Sequence, residues 1–147
     1  MRRLLVVLLF VLSFHTRGLS STNLADAWLN VLRGTTFTGA AAQFVKLHTG
    51  DPGAAAAGAP SANTTRVVMT WAAPAGTDPR SISLTGTAPA WAAWAAGTET
   101  ISDISVWSAS TAGTFYFSVQ LTTPRVVNNG DTLTLSSASV SMTPIAA

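Results

Sequence analysis

After Gly34 the spacing of apolar residues changes from the three-and-four repeat of a helix to strict alternation, and it does not change back. In "STNLADAWLNVLRG" Leu24, Trp28, Val31 and Leu32 fall at i, i+4, i+7 and i+8. Asn23 is placed to cap the first turn with Asp26 at its third position, and Gly34 to close the last. One short amphipathic helix is expected there, with Trp28 turned to a core or a partner. Beyond it, "QFVKLH" (43–48), "RVVMTW" (66–71), "SISLTG" (81–86), "TISDISVW" (100–107) and "ASVSM" (138–142) are short runs rich in strand-forming residues. The clearest is "TFYFSVQL" (114–121), which puts Phe115, Phe117, Val119 and Leu121 on one side and Tyr116, Ser118 and Gln120 on the other. "RVVNNGDTLTL" carries Asn128, Asn129 and Gly130, a signal for a tight hairpin between two strand fragments. Seven or eight short strands with no βαβ rhythm predict a mainly-β chain, an antiparallel β-sandwich with one N-terminal helix. "GDPGAAAAGAPSANTT" reads as a long exposed connection between early strands.

At 147 residues the chain suits a single domain, since a chain of about 150 residues buries roughly two-thirds of its unfolded surface. Residues 19–147 are assigned to that domain, and 1–18 to an apolar leader. In the leader, Arg2 and Arg3 precede Leu4 to Phe14, a pattern like the start of a secretory signal, but no Ala-x-Ala follows. The apolar run would make a helix of about 16 Å, half of a bilayer core near 30 Å, so no stable membrane span is expected. The leader is read as signal-like, as a docking arm, or as an extension ahead of the true start. It also carries three of the eight basic residues, leaving five against six acidic ones in the domain. Those five, Arg33, Lys46, Arg66, Arg80 and Arg125, are scattered, which argues against nucleic-acid binding. Only 10% of residues are charged, and the polar remainder is rich in hydroxyl groups, a surface suited to packing against other protein copies. With no cysteine there is no disulfide, thiol nucleophile or thiolate metal site.

Candidate chemistry is sparse. His48 and Asp51, in "LHTGDPG", are the one acid-base pair with a catalytic or metal-binding look, yet Asp-Pro-Gly is also a turn former and a metal would need three or four ligands. The expectation is a strand end and a turn, with no catalytic residue, no metal and no cofactor. Gly53 to Gly58 has phosphate-loop spacing but Ala59 and Pro60 stand where Lys and Ser or Thr are needed. Trp28, Trp91 and Trp94 are the candidate protein or glycan contacts, because indole faces stack on sugar rings; the competing reading packs Trp91 and Trp94 of "WAAWAA" in the sheet.

"LADAWLNVLRGTTFT", "FVKLHTGDPG" and "ISDISVWSASTAGTFYFSVQLTTPRVVNNGDTLTL" together resemble a family of small β-rich virion proteins of actinobacterial tailed bacteriophages and prophages. The matching positions are Leu47 to Gly53, Trp107, Ala109, Gly113, Leu121 to Pro124, Val127, Asn128 and Gly130 to Thr132. The resemblance implies a structural, non-enzymatic protein on the outer surface of the virion, made in the host cytoplasm. Its partners would be other virion proteins, the major capsid protein or tail proteins, and further copies of itself in a homo-oligomer. Head decoration is the first expectation, since the sequence has no fibre repeat. A minor tail or tail-fibre protein with a receptor- or carbohydrate-binding face is the alternative, and a secreted hydrolase resting on His48 is a distant third. Similar proteins start almost at the helix, so the leader departs from the pattern and its strand end and turn at His48 and Asp51 do not.

Overall fold

A computed structural model describes residues 5–8, 18–77 and 79–142. The chain is mainly β, as its alternation predicts. Its strands are β1 (Leu5–Leu8), β2 (Gln43–His48), β3 (Val67–Trp71), β4 (Arg80–Thr85), β5 (Ala90–Trp91), β6 (Glu99–Trp107), β7 (Phe115–Val127), β8 (Thr132–Leu135) and β9 (Ser139–Met142). Six of them form an antiparallel sheet in the order β7-β6-β2-β3-β4-β9, and β1-β8-β5 form a smaller one. The parallel pairing of β1 with β8 involves the backbone of part of the leader. The rest of the leader, 1–4 and 9–17, lies outside the described residues, and with it the signal-like reading and its cleavage end.

Register explains the core. Across β2, β6 and β7, Val45 faces Val106 and Leu47 faces Ile104, which in turn faces Val119. This apolar row packs with Trp91, Leu133 and Leu135 of the smaller sheet into one buried cluster. The alternate row carries Lys46 opposite Ser105, which faces Ser118, and His48 opposite Asp103, which faces Gln120. Because side chains alternate, the second row is polar on the opposite face of the same strands.

The helix forms where expected, but its cap differs. Ser20 Oγ accepts from the Asn23 N–H at 3.3 Å, and the Ala25 N–H reaches back five residues to the Ser20 carbonyl at 3.0 Å. Ser21–Ala25 thus winds as one wide turn before α1 (Asp26–Leu32). Asn23 is freed from capping and donates instead to the Phe115 carbonyl at 3.2 Å, tying the helix start to β7. The Gly34 N–H donates to the Val31 carbonyl at the other end. Just before the helix, residues 18–20 lie along β7: Leu19 bridges Phe117, and the Ser20 N–H donates to the Tyr116 carbonyl at 2.7 Å.

Three sequence expectations change. The Asn-Gly stretch is a turn but not a hairpin: the Asp131 N–H donates to the Asn128 carbonyl and Gly130 takes φ 89° at the second central position, as in a type II turn. The strands it joins, β7 and β8, belong to different sheets, so the turn carries the chain across the core. The connection after β2 is not exposed throughout, because Pro52, Ala56 and Ser61 are buried. Finally, β7 is buried on both faces from Phe115 to Val119. Tyr116, expected on a solvent or interface side, is covered.

Candidate interaction surface

His48 ends β2 on the polar face, fully buried, and its two ring nitrogens are both engaged. Nδ1 lies 2.8 Å from the Gly58 carbonyl and Nε2 lies 2.8 Å from Ser105 Oγ. A carbonyl can only accept, so Nδ1 carries the proton; Nε2 then accepts the Ser105 hydroxyl proton, and Ser105 Oγ accepts from Trp107 Nε1–H at 2.8 Å. The chain of donors has one direction, from indole to hydroxyl to imidazole to the carbonyl of the covering loop. Burial pushes the His48 imidazole below its ordinary value, the Lys46 charge adds to this, and the Gly58 and Ala59 carbonyls and the Asp103 carboxylate oppose it. Lys46 is lowered as well, by burial first and then by Arg66.

Asp51 does not join this chain. Its Oδ1 accepts from the Gly53 N–H at 2.8 Å, the turn role that Asp-Pro-Gly suggests. A nucleophile-base contact between Ser105 and His48 is present, but Ser105 is fully buried and its oxygen is spent on Trp107, so the geometry holds a loop and offers a substrate no approach. Among the described residues no group of three or more His, Asp or Glu could hold a metal, and no helix is long and apolar enough to cross a membrane.

The loop over this face is fastened at further points. Glu99 accepts from Ser61 Oγ at 2.6 Å and from the Ala62 N–H at 2.9 Å, while Trp91 Nε1–H donates to the Thr65 carbonyl at 2.9 Å. Arg66 stacks over the Trp107 ring, 3.7 Å from its centroid, and donates to the carbonyls of Ala109 and Ala112 in the β6–β7 connection. Catalytic spacing does not pick out Ser105 and Trp107, and nothing local in the sequence marks Arg66. The signal that could have found the first two is the polar residue every second position in "ISDISVW".

Trp91 and Trp94, which the sequence offers either as contacts or as packed in the sheet, are 3% and 1% exposed, and Trp94 Nε1–H donates to the Gly97 carbonyl at 2.9 Å. In "WAAWAA" both indoles are buried, Ala92, Ala93 and Ala95 are exposed, and Ala96 is half-buried against the core. These two rings present no face to a sugar.

Trp28 is different. It is half-buried and lines an apolar groove on the inner side of the curled sheet. Phe117 of β7 and Val140 of β9 both reach this groove although their strands are the two ends of the six-stranded order. The sheet therefore curls until its first and last strands share one hollow, and Leu24 and Trp28 cover the gap. The polar atoms at its wall are used internally, with Trp71 Nε1–H donating to Gln43 Oε1 at 2.9 Å and the Ala40 N–H to Tyr116 Oη at 3.3 Å. The lining left over is apolar.

The helix stripe is only half covered. Leu24 is 7% exposed and Trp28 is half-buried, but Val31 is 52% and Leu32 85% exposed. Leu29 at 61% and Phe37 at 38% extend the apolar surface, so four of the six large hydrophobic residues exposed among the described residues fall between 29 and 37. This segment is the candidate interaction surface.

Residues 19–143 match the model of a family described as Podophage GP4 fiber I protein gp80. The match spans the helix, the groove and every strand from β2 to β9, and the chain belongs to this family. A search of curated proteins gives no match.

Proposed function

We propose that this member of the podophage fiber I protein family is a structural, non-enzymatic subunit of the virion's tail fibre. The family match over residues 19–143 carries the reading. Two features of the described residues support it: the buried acid-base chain at His48 and Ser105 is spent on fastening a loop, and most of the exposed large hydrophobic residues lie on α1 and the segment after it. Attachment to other virion proteins or to further copies of this chain would use that surface, with Trp28 at its inner border. Head decoration, favoured by a compact domain without a fibre repeat, is the second reading.

The test is the copy number of this chain in purified particles relative to the major capsid protein, measured by quantitative mass spectrometry. A few to a few tens of copies supports the tail fibre. Hundreds of copies would replace it with head decoration, and absence from particles would remove both.

A further inference from the structure

We infer that the exposed flank of α1 is an interface with a second copy of this chain, in which two α1 helices pack antiparallel about a two-fold axis. Leu29 and Leu32 are one turn apart on the helix, and both are more than half exposed. Leu24 and Trp28 hold the first part of the helix to its own domain, while Leu29 and Leu32, toward its end, run past that cover and stay outward. The charges beside this flank select the partner. Asp26 opens the helix and Arg33 caps it, seven residues apart and therefore on the same side two turns away; both are exposed. In an antiparallel pair Asp26 of each copy lies beside Arg33 of the other, twice over, and the helix dipoles oppose. A parallel pair would bring like charges and like helix ends together. The surface is thus complementary to itself in one arrangement, which an unrelated partner would not require.

The interface requires no particular location on the particle, and its failure is read from sedimentation where failure of the fibre reading is read from copy number. The full chain should sediment as a dimer in a micromolar dilution series. Leu29→Ser with Leu32→Ser should give a monomer with an unchanged thermal melt, which separates loss of the interface from loss of folding. The sharper variants are charge reversals. Asp26→Arg and Arg33→Asp should each weaken self-association by roughly tenfold or more, and the double reversal should restore most of it, because only a two-fold antiparallel pair re-forms both contacts. A monomer at every concentration overturns the inference. So does a dimer that the serine variants leave intact, or one that the double reversal fails to rescue. Loss of particle incorporation by the serine variants of a monomeric chain would assign the face to a different virion protein and overturn it too.

Discussion

His48 Nε2 and Ser105 Oγ lie 2.8 Å apart, on neighbouring strands of the sheet, and the hydroxyl proton belongs to the serine. This direction follows from the Gly58 carbonyl at the other ring nitrogen, which fixes the proton on Nδ1. A neutral imidazole is therefore part of how the loop after β2 is held, and its protonation has a cost that can be measured.

Stability should fall as the solution is acidified. The folded chain holds His48 below its ordinary value of 6.5, so the unfolded chain takes up the proton first as pH falls through that value. The stabilisation is fully present above 6.5 and is lost below it, toward the folded-state value. Urea midpoints from pH 8 to 5 should decline more steeply for the native chain than for His48→Gln; parallel declines would contradict the neutral assignment.

Ser105→Ala should cost about 2 kcal/mol, because it leaves both His48 Nε2 and the Trp107 indole N–H without a partner in a buried place. Thermal or urea unfolding followed by circular dichroism measures it. A loss under about 0.5 kcal/mol, within the range of an ordinary surface change, would mean that the donor chain contributes nothing.

Trp94→Ala should destabilise the fold by about 3–5 kcal/mol, the range for deleting a buried aromatic side chain. Trp94→Phe should cost less, keeping most of the volume and losing the bond to Gly97. If Trp94→Ala retained full stability while a glycan-binding activity vanished, the buried placement would be wrong.

Gly58→Ala should disturb the covering loop. A Cβ at this position would sit 2.6 Å from the Asp51 carbonyl oxygen, backbone that cannot swing aside. The same residue supplies the acceptor for His48, so amide exchange should rise across residues 51–61 while β7 stays protected. Unchanged exchange in that loop would contradict the contact.

The strands were legible because alternation is a local signal: "QFVKLH" is β2 residue for residue, and the 24–28 stripe does face the core. What lay over the second face was not local. Alternation marks His48, Asp103 and Ser105 as one polar row, but nothing in the spacing says that a Gly- and Ala-rich stretch folds back over it. The same limit left two readings of Trp91 and Trp94 side by side, because their burial depends on strands from elsewhere in the sequence packing over them. Asn23 failed as the cap because a distant carbonyl, that of Phe115, competed for its side chain. The exposed end of α1 could be suspected from the sequence only as a stripe longer than its cover.

The pairing of residues 18–20 with β7 has a consequence for what can join this side of the sheet. An outermost strand with bare amides and carbonyls is a template onto which foreign chains add, the first step toward fibrillar aggregates. Here the molecule lays its own backbone along part of that rim, with Ser20 bonded to Tyr116 and the Ser118 N–H donating to the Gly18 carbonyl. Further along, Pro124 supplies no amide proton to be captured. Over this part of the rim the backbone groups are already taken or lacking, so a foreign strand finds less to pair with there.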